Sequence, residues 1–508
     1  MLSIRLSHKY NALAGDGQLW KSQYYNRFVR PRASRLPGLR DLEDSKSSLH
    51  FASKASRWLD EEHLVRKGGT TNWKRQFKLR HNWARGSCAV NEIEVAEQAA
   101  VPPVLIEMHN GIIYMADQTD GLRAWSAKGE HKMVAQALPE QDRQSPPTCL
   151  ALETVKDDEE STSVVVGYED GSFSVYAFTP ASGFQHRYTH PRSTNGVLSA
   201  VALAYPYIVT MTATQLLSLY HFDKVKSDQA THLLSDPRLL HSLKSHTVWP
   251  PLSTSLRISG TNIIISVAYS LPTYLSGWTV GVQEIRIDQA GHLLDSRLAS
   301  AIEQHYRPLA FSTQPVTHHI QSPALGALAT STATELRHIH SKPTSLSYTH
   351  PYLLVSHPDN TLTLYLVTST PDSLSISHGS RLWGHTSSVS GAHVGDRGKA
   401  VSVSRRGDEL RVWELEGGFA SSAAKKRLAT GDLSVQLRPE RKAAVEPTSQ
   451  AGLDLVTKST KSSLGTSNED EAPELTLTRG WIGFDDENVV VLKEQSQGRQ
   501  ALVVYDFT

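Results

Sequence analysis

The chain has 508 residues, with 52 Lys and Arg against 51 Asp and Glu, and the composition is that of a slightly polar globular protein. Two cysteines, Cys88 and Cys149, are too few for a disulfide framework and point to a reducing compartment, cytoplasmic or nuclear. No run of about 18 apolar residues is present, which excludes a spanning helix, and the polar start "MLSIRLSHKYNALAGDG" is unlike a secretory signal.

The near-zero net charge hides an uneven distribution. Residues 1–90 hold 18 Lys and Arg against 7 Asp and Glu, so a basic amino-terminal arm precedes an acidic body. Within residues 1–32, Leu6, Tyr10, Leu13 and Leu19-Trp20 fall on one helical face and the turn that follows it. Residues 33–86 form a connector that ends in "NWKRQFKLRHNWARGSC". There Trp73, Phe77 and Trp83 stand among Lys74, Arg75, Lys78, Arg80 and Arg85, with no carboxylate between them. Such a stretch can grip nucleic acid through phosphate contacts and stacking. The aromatics do not alternate as a stacking ladder would, so a connector helix that buries its tryptophans and keeps its charges wet fits better. No nucleic-acid role is expected.

From residue 87 the period changes to two, the signature of strands. One cadence recurs: an apolar strand, a polar or Gly-containing turn, and a strand ending in a large residue. The copies are "IIYMADQTDGLRAW", "VVVGYEDGSFSVY", "IVTMTATQLLSLY", "LLVSHPDNTLTLY" and "VSVSRRGDELRVW". Looser copies are "IIISVAYS", a long turn and "VGVQEIRI", then "NVVVLKEQSQGRQALVVY". Seven units spaced at roughly 44 to 92 residues predict a mainly β fold, a seven-bladed β-propeller over 87–508. "SCAVNEIEV" is expected to close the ring against the carboxy-terminal strand. Residues 313–343 and 418–476 lack apolar periodicity and read as disordered inserts.

Catalytic signatures are missing: no G-x-S-x-G, P-loop, G-x-G-x-x-G or C-x-x-C occurs. His318-His319 and His338-x-His340 lie in the first insert without companion ligands, so no metal, cofactor or catalytic residue is expected. Asp157-Asp158-Glu159-Glu160 is a solvated charge run.

The unit "LWGHTSSVSGAHVGDRGKAVSVSRRGDELRVWELE" resembles a WD-repeat blade, with Gly384-His385 at its start and Trp413-Glu414 where such repeats end in Trp-Asp. A buried His385 needs a polar partner, and Ser402, Ser404 and Asp408 are candidates. "LSHKYNALAGDGQLWKSQYYNRF" resembles the last helix and exit of an F-box, and Asn82-Trp83-Ala84-Arg85-Gly86 the end of the linker in F-box/WD-repeat proteins. The three pieces stand in that family's order and span nearly the whole chain. The resemblance implies a non-catalytic substrate-recognition subunit of a cullin-RING ubiquitin ligase of the SCF type. Leu6, Tyr10, Leu13, Leu19 and Trp20 would then face a Skp-type adaptor joined to a cullin, and the propeller would hold a protein substrate. The turn between the second and third strands of each blade would face that substrate, which nominates Arg405, Arg406 and Glu169. The first half of an F-box is not part of this chain, so adaptor binding is expected to be weak without it. The alternative is a WD-repeat scaffold with no ligase attachment. No membrane contact is expected.

Overall fold

A computed structural model describes residues 15–29, 72–129, 131–139, 145–153, 161–223, 234–245, 248–273, 277–301, 341–395, 398–415, 434–439, 477–495 and 498–508. Seven sheets make up the fold; six run from the first strand outward in sequence order, and the seventh takes its outer strand from the start of the described ring. The first blade shows the pattern: Leu105–His109, Ile112–Asp117, Gly121–Ser126 and Met133–Ala137. The first strand of every blade contacts that of the next, and the seventh, Leu477–Phe484, returns to Leu105–His109. The fold is therefore a closed, seven-bladed β-propeller, as the cadence predicts.

The cadence marks the second and third strands of each blade. These are covered on both faces, so alternate side chains enter two different cores. In Asn488–Glu494, Val489 and Val491 pack toward the sixth blade, whereas Val490 and Leu492 pack toward the first. Each of the seven seams has its own apolar cluster. A polar tie adds to the seam between the fourth and fifth blades. Glu284, fully buried, accepts from Arg257 at 2.9 Å, from Arg297, and from Ser369 Oγ at 2.9 Å. Removing one member of such a buried set would leave a charge stranded.

Ring closure uses both ends of the chain. Ser87–Ala96 is the fourth strand of the seventh blade and runs antiparallel to Gln500–Asp506, with Ala89 opposite Asp506 and Ile93 opposite Leu502. The expected pairing of "SCAVNEIEV" with the last strand is what forms. Inside the segment read as an insert over 418–476, Ser434–Gln436 is the outer strand of the sixth blade. The chain then pairs Arg438 and Pro439 in parallel with Ser87 and Cys88. Three residues carry too little pattern to be seen in sequence. The rest of that segment, and 313–340 of the other, lie outside the described residues. Both flanks of the "long turn" after "IIISVAYS" are strand: Asn262–Thr273 and Gly277–Asp288 pair out to Thr273 opposite Gly277.

Among the described residues, two α-helices precede the ring. Helix α1, Gly17–Tyr24, is N-capped by Asp16, whose carboxylate accepts from Gln18 N at 2.9 Å. Leu19-Trp20 thus opens a helix rather than ending one. A π-helical turn, Tyr25–Val29, follows it. Helix α2, Trp73–Arg85, is capped by Asn72 and stops at Gly86, where φ is +69°. A side chain at Gly86 would meet Gln436 O at 2.3 Å, so glycine is required there both for conformation and for space.

The tryptophans of α2 have separate tasks. Trp83, 3% exposed, stacks on Phe507 at 3.9 Å and donates to Asp486 O at 2.9 Å. Lys399 Nζ lies 4.1 Å above its ring. Trp73, 9% exposed, packs instead on Tyr24 and Tyr25 of the amino-terminal segment, at centroid distances of 5.6 and 5.9 Å. Of the two tryptophans, Trp83 packs on the propeller, whereas Trp73 holds the two helical pieces together. Trp83→Ala should lower stability by about 3–5 kcal/mol through the cavity and the lost stacking. Urea unfolding measures it, and an unchanged midpoint would contradict this docking.

Candidate protein-binding face

A propeller presents two rims, and the strand order assigns every turn to one of them. Turns between first and second strands, and between third and fourth, share one rim. Turns between second and third strands, and the blade-to-blade connections, share the other.

Helix α2 occupies the former rim. Arg75 pairs with Glu487 at 2.7 Å, and Glu487 also holds Lys128 of the first blade at 2.6 Å. Lys78 Nζ donates to the carboxy-terminal Thr508 O at 3.0 Å, and Asn82 Nδ2 to Phe507 O at 2.8 Å. Arg80 lies 3.9 Å from Glu414. The basic face of the connector is thus set against carboxylates and carbonyls of the ring. Helix α1 rides on α2, with Trp20 turned onto Phe77 at 5.3 Å. Leu19 is 40% exposed on the other side. Leu6, Tyr10 and Leu13 lie outside the described residues.

The opposite rim carries Arg405, Arg406 and Glu169, all exposed in turns between second and third strands. Glu169 belongs to the second blade and the arginines to the sixth, so they share a rim without forming one cluster. Several of these turns are braced by an acid and an arginine. Asp117 accepts from Arg123 at 2.5 Å, Asp170 from Arg192 at 3.1 Å, Asp359 from Arg381 at 2.6 Å and Glu409 from Arg411 at 2.8 Å. Asp170 and Asp359 also accept from the hydroxyls of Ser172 and Thr361, each at 2.6 Å. These carboxylates are structural, and they fix the turns that a partner would meet.

Beneath the arginine turn runs a buried relay. Trp413 Nε1 donates to Ser402 Oγ at 2.8 Å, and Ser402 Oγ lies 2.6 Å from His385 Nε2. Of the three partners nominated for His385, Ser402 takes the contact, while Ser404 donates instead to Asp408 at 2.5 Å. Glu409, not foreseen, stands 3.5 Å from His385 Nδ1 and accepts from Thr386 N at 2.8 Å. Sequence reasoning also missed Trp383, 45% exposed beside Gly384-His385, with Arg381 at 5.0 Å from its ring. The strand residues around it drew attention to the buried histidine rather than to the neighbouring surface indole.

Among the described residues, no group of three His, Cys, Asp or Glu could hold a metal, and no helix is long and apolar enough to cross a membrane. The histidine pairs at 318–319 and 338–340, and the acidic run at 157–160, lie outside them.

The family model described as F-box protein pof12 beta-propeller matches residues 88–508. The chain belongs to this family. No curated protein matches the sequence. Among solved structures, the fold is similar to one titled "Structure of U3-55K", at 9% identity over 82% of this chain and 98% of that one, with a TM-score of 0.42. The Cps50 (Swd1) β-propeller domain of Myceliophteria thermophila is similar at 10% identity, with the same coverages and a TM-score of 0.40.

Burial lowers the pKa of His385 to about 4 despite Glu409, and it does the same to His357, which bonds Thr363 Oγ1 at 2.8 Å in the fifth blade. Unfolded, both titrate near 6.5, so between pH 6.5 and 4 the unfolded chain binds more protons. Stability should therefore fall as pH drops through that window, by up to about 1.4 kcal/mol per pH unit for each histidine. Thermal unfolding at pH 7 and pH 5 reads the effect. It should be weaker in a His357→Asn/His385→Asn variant, and equal slopes in the two proteins would contradict the assignment.

Proposed function

We propose that this protein is the substrate-recognition adaptor of an SCF-type, cullin-RING ubiquitin ligase and carries out no bond chemistry itself. The amino-terminal helical segment attaches to a Skp-type adaptor and thereby to the cullin, and the propeller binds the protein to be ubiquitinated, in the cytoplasm or nucleus. Membership of an F-box-protein propeller family supports the reading. The observation that carries it is the seat of α2. Trp83 welds the connector to one rim, so the other rim, with Arg405 and Arg406, stays clear of the attachment.

A rigid connector is what such a function requires. Ubiquitin transfer within the assembly depends on the effective concentration of a substrate lysine near the loaded enzyme. Helix α2 ends at the outer strand of the seventh blade and is bonded to the sixth and seventh blades, so the propeller moves with the helix. A flexible tether of the same length would dilute that proximity.

The test is purification of the full protein, tagged at its carboxy terminus, from its own cells. A Skp-type adaptor and a cullin should co-purify, and the eluate should ubiquitinate its bound partners when supplied with the activating and conjugating enzymes. Recovery of propeller partners with neither subunit would refute the ligase role and leave a scaffold.

A further inference from the structure

We propose that the amino-terminal helical pair binds an acidic peptide segment of a partner protein along a strip formed by Lys74, Trp20, Phe77, Arg27 and Arg85. The inference goes beyond the ligase reading and stands whether or not that reading holds.

The strip follows from residue spacing on α2. Lys74, Phe77, His81 and Arg85, at i, i+3, i+7 and i+11, share one face of the helix. Arg75, Leu79, Asn82 and Trp83 lie on another face and meet the ring. Short contacts join the outer face to the amino-terminal segment. Lys74 Nζ lies 5.9 Å from the centre of the Trp20 ring, and Trp20 lies 5.3 Å from Phe77. Arg27 Cζ lies 5.7 Å from the centre of the same Phe77 ring. His81 stacks on Phe77 at 6.3 Å, and burial, Arg85 and Arg27 together lower its pKa. The three cations therefore border one aromatic strip.

Charge selects the ligand. No carboxylate occurs in Gly17–Val29 or in Trp73–Arg85. The ring satisfies Arg75 through Glu487, Lys78 through Thr508 O and Arg80 through Glu414. Arg27, Lys74 and Arg85 are exposed instead, and among the described residues none of them forms an ion pair. A cation seated on a ring face is ordered in advance and keeps its remaining N–H groups for a partner. Arginine presents them as a fork that matches a carboxylate.

Size narrows the ligand to a peptide. From Lys74 to Arg85 the helix rises about 16 Å, which an extended segment of about five residues covers. Nucleic-acid binding draws on about six to ten phosphate contacts, more than this strip offers. Its rings also pack on one another and beneath cations, rather than standing open for bases. An anionic membrane calls for a cluster of about four to eight cations. A peptide needs only a few carboxylates at matching positions.

A displayed library of random twelve-residue peptides, panned on the full chain, tests this. Selected peptides should be rich in Asp and Glu, and high salt should weaken them. Their affinity should fall at least tenfold in Arg27→Glu and in Lys74→Glu/Arg85→Glu. Arg27→Lys should keep most of the binding, and Arg238→Glu, in the third blade, should keep all of it. Thermal midpoints like that of the unaltered chain show that the variants are folded. Selection of basic or uncharged peptides, or equal binding by all variants, would overturn the proposal. So would tighter binding of an oligo-dT strand, or of phosphatidylserine vesicles, through the same residues. Peptide binding as expected in a protein that recruits no adaptor would refute only the ligase attachment and keep this site.

Discussion

The antiparallel register between Ser87–Ala96 and Gln500–Asp506 is the constraint on which the other features depend. A blade with both faces apolar has no stable existence alone, so each sheet needs two neighbours, and a ring supplies them only when its last gap is closed. Here the gap is closed by the strand that enters first and the strands that finish last. Val490, Leu492, Leu502 and Val504 can then bury against Ile113 and Met115 of the first blade. Shifting the pairing by one residue would turn Ile93 and Val95 out of that core and bring in Glu92 and Glu94.

Closure also fixes the position of everything before residue 87. Helix α2 leads into the closing strand through Gly86, so its axis is bound to the rim where the seventh blade ends. Trp83 on Phe507 makes that direction rigid, and the basic residues of the helix meet carboxylates of the ring. Arg75 and Arg80 of this helix thus find their counter-charges on the ring, at Glu487 and Glu414. The rim without the helix carries the braced turns, Arg405 and Arg406, and the surface residue Trp383.

Much of this was legible in the sequence because central blade strands are covered on both sides. "NVVVL", "IIIS" and "LLVS" are apolar without interruption, and each marks the second strand of a blade. Outer strands have one wet face and fewer residues, which hid Ser434–Gln436 inside a polar segment. Pro272 and Gly277 made the longest hairpin of the fourth blade look like a loop, although both are paired. The partner of His385 was within reach because a buried imidazole requires a hydroxyl, and three were near in sequence. Glu409 was not, since its role depends on Thr386 arriving from the start of the blade. Trp73 and Trp83 look equivalent along the chain. Ten residues of helix place them toward different neighbours, one on the amino-terminal segment and one on the ring.

Native-state hydrogen exchange tests the closed ring most directly. If the amino- and carboxy-terminal strands are one cooperative unit, the amides that join Asn91 and Ile93 to Val504 and Leu502 exchange only with global unfolding, in step with Val489 and Val491. Exchange of residues 89–94 at markedly lower free energy, while Val489 and Val491 stay protected, would show a ring that stands without its first strand and would contradict the account.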